Sequence, residues 1–210
     1  MQIDSTKNLI FDLGGVIIDL DVERTKAAFA LLSQKSVSEV QLLLENSPIF
    51  QQYEKGQLND NQFRNEVRML LHTNSSDQEI DAAWNAMLGE IPSNRIKLLE
   101  RLRKDYQLFL LSNTNNIHLV CFNEIVKATC GSLSLDPYFD KAYYSHLVQM
   151  RKPEVEIYNL VLNENNLLGH ETLFLDDNVS NLEGASQTGI QTFHVSHPDM
   201  IFSLFHESKN

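Results

Sequence analysis

The sequence predicts an α/β fold: a Rossmann-like parallel sheet with helices on both faces, interrupted by an all-helical insertion. Two observations carry this. Short apolar runs that stop abruptly at polar residues alternate with stretches of helical periodicity. Between about residues 20 and 90 that alternation lapses, and apolar residues recur at helical spacing alone. A chain of 210 residues is long enough for one sizeable domain or for a core carrying a smaller inserted one. The pattern favours the second arrangement, with segments 1–19 and 91–210 forming the core and 20–90 the insertion.

The first strand is read at Asn8 to Phe11, an apolar run that ends in Asp12-Leu13-Gly14-Gly15 and so turns sharply at its C-terminal end. Within the insertion, Ala27, Ala28, Leu31 and Leu32 suit one helix and Val40, Leu43 and Leu44 a second. Phe63, Val67, Leu70 and Leu71 suit a third, capped by Asn59 or Asp60, and Ile80, Ala83, Trp84 and Met87 a fourth, capped by Ser76 or Asp77. Further strands are read at Leu108 to Leu111, Leu173 to Leu175 and Thr192 to Val195, with a weaker one at Lys141 to Tyr144. Helical patterns at Asn94 to Lys104, Asn116 to Lys127, Glu154 to Asn163 and Asn178 to Gln187 lie between them.

Composition narrows the function. Hydrophobic residues at 42% and charged residues at 21% are the balance of a globular protein with a real core. A formal net charge of -11 without a Lys/Arg patch argues against nucleic acid, whose phosphate backbone would be repelled. No apolar stretch has the length of a membrane span, and the polar Met1 to Lys7 does not resemble a signal peptide. Cys121 and Cys130 lack the spacing of a zinc site or disulfide framework, so reduced thiols and a cytoplasmic location are expected.

In an open parallel sheet, ligands bind outside the carboxyl ends of the strands. Here those ends hold polar residues: Asp12 after the first strand, Ser112 and Asn113 after the second, Asp176 and Asp177 after another. Lys152, in Arg151-Lys152-Pro153, precedes a helix. Three carboxylates gathered in one small space repel one another, and a divalent cation is the natural means of keeping them ionised. Oxygen-only ligation favours Mg²⁺. That ion and Lys152 would neutralise a phosphate group, Ser112 and backbone N–H groups would hydrogen-bond its oxygens, and Asp12 would stand for in-line attack.

These segments together resemble the haloacid dehalogenase superfamily. Its four motifs are matched in order by Phe11-Asp12-Leu13-Gly14-Gly15-Val16, Leu111-Ser112-Asn113-Thr114-Asn115, Lys152-Pro153 and Leu175-Asp176-Asp177-Asn178. The helical insertion matches the family's cap, including Tyr53-Glu54-Lys55-Gly56-Gln57-Leu58, which resembles a recurring cap turn. The resemblance implies Asp12 as nucleophile and metal ligand, the Gly14 carbonyl as a second ligand, and Asp176 and Asp177 as the source of the rest, with the direct ligand of that pair left open. It further implies that Ser112 and Asn113 bind the phosphoryl group and that Lys152 stabilises both it and the nucleophile. The partner implied is a small phosphorylated metabolite, with neither nucleic acid nor membrane, and a monomer or weak dimer is expected.

One position departs from the pattern. Most phosphatases of the family carry a second aspartate two residues after the nucleophile, as general acid and then base; here that residue is Gly14. Such catalysis contributes roughly 10²- to 10⁴-fold, so its absence favours leaving groups of low pKa such as sugar-1-phosphates. Asp-Leu-Gly with Ser-Asn-Thr-Asn and Asp-Asp-Asn in fact resembles the bacterial alpha-D-glucose-1-phosphate phosphatase subgroup. The alternatives are a 2-haloacid dehalogenase, which also lacks that aspartate but has no use for the Asp176-Asp177 pair, and a non-catalytic phosphometabolite-binding protein. Taken singly, Asp12 and Ser112-Asn113 read as turn residues, Asp176-Asp177 as a helix cap and Lys152 as a surface lysine. Phe50, Tyr53, Glu54 and Trp84 could face a substrate, but aromatic residues at helical spacing read first as core. His118 and His146 read as structural or exposed, and Cys121 as a packed apolar residue.

Overall fold

The computed structural model describes residues 5–206; the outermost parts of the expected core segments, 1–4 and 207–210, lie outside the described residues. The five strands are β1 (Asn8–Phe11), β2 (Gln107–Ser112), β3 (Lys141–Tyr144), β4 (Thr172–Asp176) and β5 (Gln191–His194). They form one sheet in the order β3-β2-β1-β4-β5, and every pairing is parallel. β1 is thus the central strand, with Phe11 level with Leu110 on one side and Leu175 on the other.

Alternation along these strands divides the core in two, because successive side chains point to opposite faces. Leu9, Phe11, Leu108, Leu110, Leu173 and Leu175 feed one cluster. It is covered by α6 (Ser93–Leu102), α7 (Asn116–Cys130) and α11 (Met200–His206), through residues such as Leu99, Phe122 and Ile201. Ile10, Phe109, Leu111 and Phe174 feed the other, under α9 (Val155–Glu164) and α10 (Val179–Ser186) through Ile157, Tyr158, Val161 and Leu182. Strands buried on both faces read as continuous apolar runs, which is why they were visible in the sequence.

Between β1 and α6 lie α1 (Val22–Ser33), α2 (Val37–Glu45), α3 (Ile49–Glu54), α4 (Asp60–Leu71) and α5 (Asp77–Asn85). Their starts follow from local chemistry. Ser36 with Glu39, Asn59 with Gln62, and Ser76 with Glu79 each form a reciprocal capping box. Asn59 and Ser76, rather than Asp60 and Asp77, are therefore the caps. These helices bury their own cluster of Phe29, Val40, Tyr53, Phe63, Val67, Ile80 and Trp84. The aromatic residues Tyr53 and Trp84 belong to this core, with Tyr53 stacked on Phe63 at 4.1 Å. The insertion joins the sheet through two neighbouring segments: Asp19 N–H donates to the Glu90 carbonyl, Gly89 N–H to Asp19, and Asp21 N–H to Met87.

The short helix α3 and the four-residue α8 (Ser145–Val148) were not anticipated, nor was α11. Among the described residues no helix is long and apolar enough to cross a membrane.

Candidate active site

The site sits where the strand order reverses, at the carboxyl ends of β1 and β4. Asp12 continues β1 by one residue, its N–H donating to the Leu175 carbonyl at 2.9 Å. Its side chain is buried, and Oδ1 accepts both the Leu13 N–H and the Lys152 ammonium, each at 2.7 Å. Lys152 is 1% exposed and donates a second 2.7 Å bond to Oδ2 of Asp176, with its Nζ 5.3 Å from the centre of the Phe174 ring. An isolated surface lysine is thereby excluded: this cation lies beneath the site and bridges two carboxylates.

Asp176 is fully buried and its two oxygens are held by Lys152, by the Asn181 amide at 3.1 Å and by the Asn178 N–H at 2.7 Å. Asn178, not the aspartate pair, caps α10. Asp177 lies more open and against the turn after β1. There Gly15 has φ +68, and a Cβ on it would stand 2.3 Å from Oδ2 of Asp177, so both conformation and space require glycine. Carboxylate oxygens of Asp12, Asp176 and Asp177 lie within 4.8 Å of one another.

The electrostatics follow from this crowding. Burial, reinforced by Asp176 and Asp177 and opposed by Lys152, pushes the Asp12 carboxyl up to about 7. Asp177 is also raised, first by burial and then by Asp176. For Lys152 burial opposes the charge, but Asp12 and Asp176 outweigh it and hold the amine above its ordinary value. Three acids and one base leave the cluster short of positive charge. A set of oxygen donors with that deficit fits a hard divalent cation such as Mg²⁺.

The remaining sequence-identified residues divide. Ser112 is buried at the end of β2 beside Tyr144 of β3. Asn113 turns its side chain elsewhere: Nδ2 donates to the Lys152 carbonyl and Oδ1 accepts the Lys152 N–H, both at 2.9 Å. Its amide therefore fixes the lysine segment, leaving its second Nδ2–H and its backbone N–H as donors. Gly14 adjoins the cluster, with the Leu20 side chain packed over its Cα.

Two positioning residues, Ser145 and Asn181, escaped the sequence reading. Ser145 pins the loop after β2 by accepting the Thr114 N–H at 2.9 Å and donating to its carbonyl at 3.0 Å. Asn181 orients Asp176, and α10 spacing after Asp177 was the available hint. Glu54 at the end of α3 pairs with Arg151 at 2.9 Å, and Lys55 pairs with Glu154, which ties the insertion to the segment around Lys152. His118 stacks on Trp84 at 4.6 Å, bonds Asn85, and is held neutral by burial, with its pKa lowered to about 3. It serves the seam between insertion and sheet.

Comparison with known proteins agrees with this geometry. The chain is 31% identical over 189 residues to the D-ribitol-5-phosphate phosphatase of Bacteroides thetaiotaomicron, covering 89% of this chain and 90% of that one. A haloacid dehalogenase family enzyme of Bacteroides thetaiotaomicron, crystallised with magnesium and inorganic phosphate, superposes with a TM-score of 0.78 at 40% identity, covering 90% and 93% of the two chains. A HAD-like family hydrolase of Porphyromonas gingivalis gives a TM-score of 0.85 at 27% identity, covering 98% of this chain and 100% of that one. Residues 9–195 match the model of haloacid dehalogenase-like hydrolases, and the chain belongs to that family.

Proposed function

We propose that the protein is a Mg²⁺-dependent phosphatase that hydrolyses a small phosphate monoester through an aspartyl-phosphate intermediate. The observation that carries this is the convergence of Asp12, Asp176 and Asp177 oxygens within 4.8 Å around a buried lysine. Asp12 would be the nucleophile, one oxygen offered to phosphorus and the other to the metal. The Gly14 carbonyl and Asp177 would complete the protein's ligands, because both oxygens of Asp176 are already engaged by Lys152, Asn181 and the Asn178 N–H. Bound there, Mg²⁺ would neutralise phosphate charge and keep the acids ionised.

The protein's own groups would do the rest. Lys152 would hold the Asp12 carboxylate in place and offset the charge of the phosphoryl group. The Ser112 hydroxyl and the backbone of Asn113 would donate to phosphoryl oxygens. The helical insertion would be the cap that closes over the crevice and excludes water, hinged at 19–21 and 87–90. The deficit of positive charge favours this chemistry over halide displacement, which has no use for the second and third carboxylates.

The substrate we propose is the phosphate ester of a small polyhydroxylated carbon chain. The similarity to a D-ribitol-5-phosphate phosphatase supports a polyol phosphate, and the motif resemblance supports a sugar-1-phosphate. A phosphate-release screen over both classes, with Mg²⁺ and with EDTA, tests the reading. Release that requires Mg²⁺ is expected; halide release from a 2-haloacid in EDTA would overturn it.

A further inference from the structure

We propose that Arg95 is a positioning residue of this site. Its buried guanidinium fixes the far side of the turn that carries the Gly14 carbonyl, and ties that turn to the two segments that join the insertion to the sheet. The inference rests on the metal-dependent reading of the site and deepens it. Arg95 itself would touch neither metal nor substrate.

The turn after Asp12 closes on itself. The Leu13 carbonyl accepts the N–H groups of Ile17 at 2.8 Å and Ile18 at 2.9 Å, and Gly15 N–H donates to the Ile18 carbonyl at 2.9 Å. Gly14 thus belongs to a ring of backbone bonds whose other side is Ile17-Ile18. Burial of Val16, Ile17 and Ile18 presses this ring onto the core, but apolar burial is non-directional. Direction comes from Arg95, in the first turn of α6, whose Nη1 donates to the Ile17 carbonyl at 3.1 Å. The same nitrogen pairs with Oδ1 of Asp19 at 2.7 Å. The Asp19 backbone in turn donates to Glu90 and accepts from Gly89, and α6 begins at Ser93 just beyond them. One guanidinium therefore links the turn, the outgoing segment and the returning one.

Stability alone does not account for the arrangement. Arg95 is 4% exposed, whereas the Asp19 side chain is 47% exposed, and the buried Nε of Arg95 has no acceptor among the described residues. A buried cation with an unmet donor is costly to hold, and a buried ion pair is a weak source of stability. A displaced Ile17 carbonyl, by contrast, would be felt through the ring at Gly14, whose carbonyl is a proposed metal ligand. Groups that orient metal ligands from behind commonly change metal affinity or activity by roughly 10- to 100-fold when removed.

The test measures Mg²⁺ binding without substrate, by calorimetric titration, at a temperature where circular dichroism shows every variant folded. Arg95→Met should weaken Mg²⁺ binding by about tenfold. Asp19→Asn, which leaves the guanidinium on the Ile17 carbonyl, should change it far less. The double variant leaves no charge without a partner, so it serves where Arg95→Met folds poorly, and it should bind Mg²⁺ as weakly as Arg95→Met. Val126→Ala, a buried change in the C-terminal half of α7, should lower the melting temperature and leave Mg²⁺ binding unchanged. Wild-type affinity in Arg95→Met and the double variant, or equal weakening by Val126→Ala, would overturn the role of Arg95. A loss in Asp19→Asn as large as in Arg95→Met would overturn the route through Ile17. A wild type that binds Mg²⁺ yet releases phosphate from no ester would remove the phosphatase reading and leave this one standing, whereas one that binds no Mg²⁺ would remove both.

Discussion

Charge is handled in opposite ways at the floor of the crevice and at its rim. On the floor, Asp12, Asp176 and Asp177 share one ammonium, and Lys152 and Asp176 are 1% and 0% exposed. At the rim, Glu54 pairs with Arg151 and Lys55 with Glu154, one to one, on side chains 20–39% exposed. A balanced, partly hydrated pair needs nothing further. A buried cluster with surplus negative charge is held at a cost that an added cation, or a proton, relieves. The floor is therefore built to bind, and the rim to join.

The largest expected effect follows from removing the floor's proposed attacking group. Asp12→Asn should lower phosphate release by on the order of 10⁴-fold or more, while circular dichroism and melting show an intact fold. Turnover within tenfold of wild type would remove Asp12 from the role of nucleophile.

Removing the floor's single cation comes next. Lys152→Met leaves Asp12 and Asp176 buried without their partner, and near pH 7 this should cost about 3–5 kcal/mol in urea unfolding without metal. The cost should shrink towards pH 4, where the Asp12 carboxyl, already raised by burial, takes up a proton. A loss below about 1 kcal/mol, the range of a surface pair, would erase the distinction between floor and rim.

A smaller effect sharpens the same contrast through pH. The folded Asp12 titrates near 7 against 3.8 for an ordinary aspartate, so between these values the folded state binds more protons than the unfolded one. Its contribution to stability is full below about 4 and is lost as pH rises through 7. In EDTA, the stability difference between Asp12→Asn and wild type should therefore grow in favour of the variant from pH 4 to 7, and Mg²⁺ should reverse it for the wild type. A constant difference across that range would show that burial does not strain the Asp12 charge.

The same physics explains what the sequence disclosed. β1 was read with its observed limits because a buried parallel strand is a short apolar run with a polar stop, whereas the edge strand β3, half-buried, gave a weaker signal. The gathering of Asp12, Asp176 and Asp177 could be foreseen because each ends or follows a strand, and strand ends meet in space. Helix α3 was not foreseen: Ile49–Glu54 spans six residues between Pro48 and Gly56, too few turns for periodicity to register. The clasp of Asn113 on Lys152 joins residues 39 apart, and Ser145 meets Thr114 across 31, through polar side chains that local pattern treats as ordinary loop residues. Nor could the sequence show that Leu20 lies on Gly14, since that contact depends on how the insertion's first segment turns back over the sheet.

The rim should give the smallest effect, and its size is informative. Glu54 accepts both Nε and Nη2 of Arg151 on a single oxygen, at 3.0 and 2.9 Å. Burial raises its carboxyl more than Arg151 and Lys152 lower it. Replacing it by Gln removes one charge from a half-buried pair whose acid burial already disfavours and keeps an acceptor for Arg151, so global stability should fall by no more than about 1 kcal/mol. If the pair joins insertion to sheet without taking part in chemistry, Glu54→Gln should leave kcat for p-nitrophenyl phosphate within a few-fold of wild type. A kcat loss of a hundredfold with stability unchanged would move Glu54 from the rim to the floor, and would make it the group that answers for the proton no side chain at position 14 can supply.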